Sequence, residues 1–304
     1  VIKQLQEEME PFHVLSDIGC HSFATAAPFN LGNTIMGYGL SLASSSGMRH
    51  ALPHKAISIM GDGGFWHNGL TSGVTSAVFN EHDGLLIVID NGYSAATGGQ
   101  DIPSLVEPNL IATTLDVNQP KRESWQTIED ACRGAGVKWI RTVSTYNIAA
   151  MKETLRSALT TDAPGLKVVV AEGECMLNRQ RRVKPLIRQA VAEGRRVKRA
   201  RFYIDPETCT GDHGCIRLSG CTSLTIRDNP DPLRTDPVSY VDNSCVGCGV
   251  CGTNAHSAVL CPSFSRVEMI HNPTAWDRLL DNTRARVREW WRTRDRKRMA
   301  QRQF

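Results

Sequence analysis

The fold is decided by residues 56–91, which read AISIMGDGGFWHNGLTSGVTSAVFNEHDGLLIVIDN. The stretch opens with Ala56–Met60, an apolar run that predicts a buried strand, and Leu85–Asp90 (LLIVID) predicts a second one. Between them, His67–His82 has the length and composition of a helix. Two buried strands joined by a helix predict a βαβ unit, in which both strands run parallel in one sheet.

The same alternation of apolar strands and helices extends through residues 1–177. Its regularity predicts a doubly wound parallel sheet with helices on both faces, and therefore an α/β domain over these residues. The remaining predicted elements are helices at Asn33–Gly47, Ser124–Arg133 and Asn147–Leu159 and strands at Lys138–Val143 and Lys167–Ala171.

Gly61-Asp62-Gly63 and Asn91 each follow one of the two strands directly. The carboxyl ends of parallel strands meet at one edge of a sheet, where ligands bind and helix N-termini favour phosphate. We therefore expect Asp62 and Asn91 to lie side by side. Their oxygens, a nearby backbone carbonyl and two diphosphate oxygens suit octahedral Mg²⁺. Gly-Asp-Gly alone would equally be a strand-end turn with an Asp cap, and the order strand, GDG, helix, strand, Asn is what favours a cofactor site.

Seven of the ten cysteines lie within residues 209–261. Cys245, Cys248 and Cys251 have C-x₂-C-x₂-C spacing, which is typical of a 4Fe–4S cluster, whereas zinc normally takes two cysteines from such a loop. Cys261-Pro262 has the Cys-Pro ending of ferredoxin motifs, although after nine residues instead of the usual three. A secreted disulfide domain would also crowd its cysteines, but an α/β segment without a signal peptide favours cluster ligation in a reducing compartment.

The first cysteine motif departs from this spacing, because Asp212 stands where a second cysteine is expected between Cys209 and Cys215. In two-cluster ferredoxins the fourth cysteine of each motif serves the other cluster. We expect Asp212 to bind iron by its position. The alternatives are His213, no fourth protein ligand with a 3Fe–4S cluster, or a degenerate site in which Asp212 only makes a turn. The crossed ligand sets are cluster one, Cys209, Asp212, Cys215 and Cys261, and cluster two, Cys221, Cys245, Cys248 and Cys251.

Residues 203–266, which hold these cysteines, predict a small α+β ferredoxin-like domain. Its short β-like runs are Ser223–Ile226 and Pro237–Val241, with many Gly, Asp and Pro turns around them. Before it, residues 178–202 predict a basic helical linker. After it, residues 267–304 predict a basic tail or linker, with an Arg-rich helix at Ala275–Phe304 that carries three tryptophans.

Charge and hydropathy exclude several classes of protein. The 35 Lys and Arg against 31 Asp and Glu give a net charge of +4, which is too small to argue for a nucleic-acid partner. No stretch approaches the ~18 apolar residues of a membrane span, and no signal peptide is evident, so we expect a cytoplasmic protein. The first residue is Val, which indicates a piece of a longer chain.

Three segments carry a resemblance to a known family: Asp17–Cys20 (DIGC), Gly61–His67 (GDGGFWH) and Asp90–Gly98 (DNGYSAATG). They are similar to the corresponding segments of indolepyruvate:ferredoxin oxidoreductases, within the 2-oxoacid:ferredoxin oxidoreductase family. The resemblance runs through essentially the whole chain. It includes the thiamine-diphosphate motif, in which GDG is followed after roughly thirty residues by Asn.

The resemblance implies roles for individual residues. It gives Mg²⁺ the side chains of Asp62 and Asn91 and the carbonyl of Tyr93, and it brings His67 and Cys20 near the substrate as catalytic candidates. Ordinary packing is the alternative for both of the last two, Cys20 as a small buried residue and His67 as a cap on the first helical turn. The implied cofactor-binding residues are Gly19, Cys20, Gly61, Asp62, Gly63, Asn91, Tyr93, Thr97, Gly98 and Gln100.

The resemblance also implies a reaction. Thiamine diphosphate would decarboxylate a 2-oxoacid, two iron–sulfur clusters would pass electrons to ferredoxin, and coenzyme A would take the acyl group. A pyrimidine-binding domain and a further domain or subunit, both absent from this chain, would complete the site. We therefore expect an oligomer, and no activity from this chain alone. The alternative hypotheses are that the protein is a non-oxidative thiamine decarboxylase with structural clusters, or that it is an electron-transfer module.

Overall fold

The computed structural model describes the chain except residues 10, 11, 28, 33, 53, 97, 101, 105–125, 220, 222, 250, 253–259 and 301–304, and it leaves out the side chains of residues 176, 218, 292 and 295–300. Thr97 and the beginning of the predicted helix Ser124–Arg133 therefore lie outside the described residues. The chain divides into two compact units, an N-terminal unit, Val1–Arg179, and a C-terminal unit, Gln180–Phe304.

Within the described residues, a six-stranded sheet forms the centre of the N-terminal unit. Its strand order is β2-β1-β3-β4-β6-β5, and every neighbouring pair is parallel. This topology confirms the α/β class that the alternating apolar runs predict. The strands are β1 Val14–Ser16, β2 Thr34–Ile35, β3 Ile57–Gly61, β4 Leu85–Asp90, β5 Trp139–Ser144 and β6 Lys167–Glu172.

Helices connect these strands. The helical stretch after β3 begins at Asp62, immediately at the strand end, and continues to Phe79 through a π-helical middle at Phe65–Val74. It therefore starts earlier than the predicted His67. The helices are α1 Ile2–Glu8, α2 Ser41–Met48, α3 Asp62–Gly64, α4 Thr75–Phe79, α5 Ile128–Gly134, α6 Ile148–Thr160 and α7 Met176–Ala192, with a 3₁₀ helix at Cys20–Thr25.

The sheet is apolar on both faces. Successive residues of a strand point to opposite sides, and the central strands are apolar at consecutive positions. On β4, Leu86 and Val88 pack into the cluster that contains Met60, whereas Leu85 and Ile87 pack into a cluster on the other face. All four β4 side chains are at most 5% exposed. Each such buried side chain contributes about 1.5–3 kcal/mol, so the two clusters hold the sheet between its helical layers.

The segment before α2 differs from the sequence-based prediction. A helix is predicted from Asn33, but residues Thr34–Ile35 form an edge strand and the helix begins only at Ser41. Gly39, at φ +76°, makes the intervening turn, and a Cβ there would lie 2.5 Å from the carbonyl oxygen of Gly64. The turn therefore requires glycine. Strand β1 has no sequence prediction either, because it is only three residues long.

The described part of the C-terminal unit contains two antiparallel two-stranded sheets. Strand β7 pairs with β10, and β8 pairs with β9. The β8 and β9 strands confirm the two predicted β-like runs. No helix in the described part of the chain is both long and apolar enough to cross a membrane. The elements are β7 Val197–Ile204, α8 Gly214–Ser219, β8 Leu224–Arg227, β9 Val238–Val241, β10 Phe264–His271 and α9 Ala275–Ala300.

The basic run at residues 178–202 is helical only as far as Ala192, and β7 replaces the rest of the predicted helical linker. The strand forms because Phe202 and Ile204 alternate with solvent-facing residues. Both pack into the cysteine-bearing core, at 6% and 4% exposure. Its partner β10 extends through residues 267–271 of the predicted tail segment, and the helix of that segment begins at Ala275, where the sequence predicts it.

Candidate cofactor site and cysteine clusters

Three polar side chains follow the carboxyl ends of adjacent parallel strands. Asp17 follows β1, Asp62 follows β3 and Asn91 follows β4. Asp17 is 0% and Asp62 2% exposed. The sequence predicts that Asp62 and Asn91 meet at this edge, and the structure confirms it.

The Asp62 carboxylate joins the end of β3 to the turn after β4. Its Oδ1 accepts the backbone N–H of Gly63 at 2.7 Å, and its Oδ2 accepts those of Asn91 at 2.8 Å and Gly92 at 2.7 Å. Burial raises the pKa of Asp62, and these N–H bonds oppose the rise. The contacts fix the carboxylate within the turn that carries Asn91.

The pair is suited to a divalent cation. The amide oxygen Oδ1 of Asn91 is buried and has no hydrogen-bond partner, an arrangement that costs about 1–3 kcal/mol when nothing satisfies the atom. Burial, followed by the nearby charges of Asp62 and Glu172, raises the pKa of Asp90 to about 7. A cation would satisfy the amide oxygen and offset this buried negative charge. The carbonyl of Tyr93, the third predicted ligand, accepts the Ala95 N–H at 3.0 Å.

The start of the helix after β3 is pressed against Asp17. Both carboxylate oxygens of Asp17 accept the N–H of Gly39 at 2.7 Å, and burial raises the pKa of Asp17 to about 6. A Cβ on Gly64 would lie 2.2 Å from Asp17 Oδ2, and one on Gly63 would lie 2.3 Å from the hydroxyl of Tyr38. The glycines after Asp62 thus allow this close approach.

Replacing Gly64 with Ala should destabilise the protein by about 1–3 kcal/mol, because the new methyl group overlaps a carboxylate that Gly39 holds in place. The matched control is Gly47→Ala in α2, where a Cβ meets nothing within 4 Å. That change should stabilise the helix by up to about 1 kcal/mol. Thermal unfolding of the two full-length variants should shift in opposite directions, and a Gly64→Ala protein as stable as wild type would contradict the packing.

A small pocket opens at the same edge of the sheet. His21 lines it and has no sequence prediction. Its Nε2 is buried without a partner, and burial lowers the pKa of His21 to about 4, so the ring is neutral near pH 7. A histidine beside a cysteine has no characteristic spacing that could have identified it. The predicted site residues that line the pocket are Gly19, Cys20, Gly61, Asp62, Asn91 and Tyr93.

Among the described residues, the predicted residues His67, Gly98 and Gln100 do not line this pocket. The His67 ring packs against that of Tyr38, with centroids 5.2 Å apart, and its charge opposes the rise that burial causes in the pKa of Asp17. Gly98 and Gln100 are exposed, and Gln100 forms an isolated antiparallel bridge with Ser94. The loop after β4 therefore folds back on itself. A direct catalytic role for His67 stays a prediction.

The cysteines of the C-terminal unit lie in two groups. Burial raises the pKa of Cys215, and the nearby thiols of Cys261 and Cys209 raise it further. Burial also raises the pKa of Cys251, and together with a separate set of thiols brings it to about 12. That set consists of Cys221, Cys248 and Cys245. These neighbours match the cysteines that the crossed sequence pattern assigns to clusters one and two.

Among the described residues, no group of three His, Cys, Asp or Glu side chains forms a site for a single metal ion. The ligands of an iron–sulfur cube bind different irons, so thiols around a cube do not converge on one point. All ten cysteines lie among the described residues, and none of them forms a disulfide bond. Asp212, the predicted fourth ligand of cluster one, is exposed, and its Oδ1 accepts the hydroxyl of Thr210 at 3.3 Å.

The parallel sheet and the polar edge that joins Asp62 to Asn91 define a thiamine-diphosphate-binding α/β domain. The chain belongs to the thiamine pyrophosphate enzymes: its residues 17–170 match the family described as thiamine pyrophosphate enzyme, C-terminal TPP binding domain.

The relatives of the chain are consistent with the family resemblance of its motifs. Indolepyruvate oxidoreductase subunit IorA of Archaeoglobus fulgidus is 30% identical over 86% of this chain and 36% of its own length. The IorA subunit of Methanothermobacter thermautotrophicus is 28% identical over 78% and 33%. The chain thus spans about a third of these curated relatives. A solved 2-oxoglutarate:ferredoxin oxidoreductase from Magnetococcus marinus aligns with a TM-score of 0.43 and 20% identity, over 54% of each chain.

Proposed function

We propose that the protein containing this chain oxidatively decarboxylates a 2-oxoacid, indolepyruvate or another aryl pyruvate, and forms an acyl-CoA, CO₂ and reduced ferredoxin. The observation that carries the proposal is the buried Asp62–Asn91 pair, which lies in a thiamine-family domain on the same chain as two groups of thiols. The preference for an aryl side chain rests on the similarity to the IorA subunits.

In this proposal, Asp62, the amide oxygen of Asn91 and the carbonyl of Tyr93 hold Mg²⁺. The helical stretch that begins at Asp62 directs its first N–H groups and its dipole towards a diphosphate. Thiamine diphosphate, when bound, supplies the carbanion chemistry of decarboxylation. His21 lines the pocket and is neutral near pH 7, and its partnerless Nε2 can form a hydrogen bond with a bound group.

The two groups of thiols would hold iron–sulfur clusters. Oxidation of a 2-oxoacid to an acyl-CoA releases two electrons, and two one-electron centres offer them separate steps towards ferredoxin. Their cysteines must stay reduced, which is consistent with a cytoplasmic protein. The cysteine spacing and the two electrostatically coupled groups support this part of the proposal.

The remaining components lie outside this chain. A pyrimidine-binding domain and a further domain or subunit would complete the active site, in keeping with the third of the relatives' length that the chain spans. The basic helices α7 and α9 would tether those parts, and α9 exposes Trp276, Trp290 and Trp291 for packing. Attraction of an acidic ferredoxin by the same basic helices is the lesser alternative.

The test is an assay of the full-length protein with a panel of 2-oxoacids, coenzyme A and ferredoxin under anaerobic conditions. Ferredoxin should be reduced fastest with indolepyruvate or another aryl pyruvate, and the matching acyl-CoA should accumulate. Aldehyde formation without ferredoxin reduction would instead identify a non-oxidative decarboxylase. Reducible clusters in a protein that does not bind thiamine diphosphate would identify an electron-transfer module.

A further inference from the structure

The first cysteine motif lacks one cysteine, because Asp212 occupies its second position. We propose that the imidazole of His213, oriented by the buried hydroxyl of Ser239, is the fourth protein ligand of cluster one. The proposal rests on the iron–sulfur part of the proposed function and replaces the sequence-based choice of Asp212.

Ser239 links His213 to a cysteine of cluster one. It is 3% exposed on strand β9, and its Oγ lies 3.0 Å from Nδ1 of His213 and 3.4 Å from Sγ of Cys215. A buried hydroxyl needs hydrogen-bond partners, and these two supply them. The His213 ring and the Cys215 thiol therefore share one hydrogen-bond partner, the buried Oγ of Ser239.

With Cys215 bound to iron, the hydrogen bonds of Ser239 determine the tautomer of His213. A cysteine that binds iron is a thiolate, which can only accept, so the single hydroxyl proton of Ser239 points to Cys215 Sγ. The Ser239 oxygen must then accept from His213, which requires the proton on Nδ1. A neutral imidazole with its proton on Nδ1 has an unprotonated Nε2, which can bind iron while the Nδ1–H is donated to Ser239.

The backbone holds His213 in place. Its φ is +56°, a left-handed conformation that side-chain-bearing residues seldom adopt. Its carbonyl accepts the N–H of Ile216 at 3.0 Å and of Arg217 at 3.1 Å, at the start of helix α8, which also carries Cys215. The same residue thus begins the helix and shares a partner with the cysteine. Strain of this kind is typical of functional positions.

A second buried serine contacts another thiol of cluster one. Ser263 is 3% exposed, and its Oγ lies 3.0 Å from Cys261 Sγ. Two half-buried thiolates that bind iron require hydrogen-bond donors, and the hydroxyl groups of the two serines can donate to them. Asp212, in contrast, is exposed and accepts the hydroxyl of Thr210 in its own turn. The contacts therefore favour His213 over Asp212.

The test compares His213→Asn, Asp212→Asn and His213→Cys in the full-length protein after anaerobic reconstitution with iron and sulfide. Asparagine tolerates the left-handed backbone, and the signal of cluster two reports folding in every variant. His213→Asn should lose about one iron and gain the EPR signal of an oxidised 3Fe–4S cluster. His213→Cys should restore the four-iron form, and Asp212→Asn should match wild type. In ¹⁵N-histidine-labelled wild type, pulsed EPR should detect nitrogen bound to cluster one.

A wild-type spectrum from iron-loaded His213→Asn, or loss of iron from Asp212→Asn alone, would overturn the His213 assignment and leave the proposed function standing. Wild-type protein without iron would overturn both.

Discussion

We expect replacement of Asp62 with Ala to abolish Mg²⁺-dependent binding of thiamine diphosphate to the full-length protein. The change removes a proposed ligand and also the acceptor for the N–H groups of Asn91 and Gly92. Even the hydrogen-bond partners of metal ligands are worth about 10–100-fold in affinity, so we expect a loss greater than about 100-fold. Calorimetric titration of the cofactor with Mg²⁺, and again with a chelator, measures it.

Two further variants separate metal binding from general damage. Asn91→Ala should also bind the cofactor weakly, because the partnerless amide oxygen is the atom assigned to Mg²⁺. Asp162→Asn removes an exposed carboxylate outside the site and should bind like wild type. Retained Mg²⁺-dependent binding by Asp62→Ala would refute the assignment, and unchanged binding by Asn91→Ala would remove that side chain from the ligand set.

We expect replacement of Cys248 with Ser to remove the proposed cluster two and to leave cluster one. Cys248 is exposed, so the change from sulfur to oxygen disturbs little packing, but serine is a poor substitute for a thiolate on iron. After anaerobic reconstitution, the full-length variant should hold about half of the wild-type iron, and EPR should show one cluster spectrum instead of two.

The matched control is Cys175→Ser. Cys175 is half-buried and lies outside both cysteine motifs, so this variant should take up the full iron content. Equal iron loss in the two variants would mean that the loss reports general instability. Full iron content in Cys248→Ser would show that the C-x₂-C-x₂-C spacing does not hold a cluster.

The sequence predicts the fold wherever a strand is long and buried on both faces. The run at 85–89 is apolar throughout, and the structure places it in β4, Leu85–Asp90. Strands β1 and β2 are too short to form a pattern, at three and two residues. Strand β7 alternates apolar with basic residues, and the preceding helix α7 is basic too, so composition alone predicts a single helical linker over both. Residues of β7 form a strand because they pair with β10, some 67 residues further along the chain.

The candidate site was predictable where one motif carries it. Asp62 and Asn91 stand at strand ends, so their meeting follows from parallel topology alone. The Asp17 carboxylate accepts the N–H of Gly39, 22 residues away, and no local sequence pattern predicts that hydrogen bond. His21 is distinguished only by its buried Nε2, a property of the folded pocket. The choice between Asp212 and His213 depends likewise on which side chain the left-handed turn brings to Ser239.

In the proposed function, one chain carries both a magnesium–thiamine site and the clusters that receive its electrons. The most direct measurement is the visible and EPR spectrum of the full-length, oxidised protein after anaerobic addition of an aryl pyruvate with thiamine diphosphate, Mg²⁺ and coenzyme A. We expect bleaching of the iron–sulfur absorption and the spectrum of reduced clusters, both absent from Asp62→Ala. Substrate consumed with release of aldehyde, while the clusters stay oxidised, would contradict it.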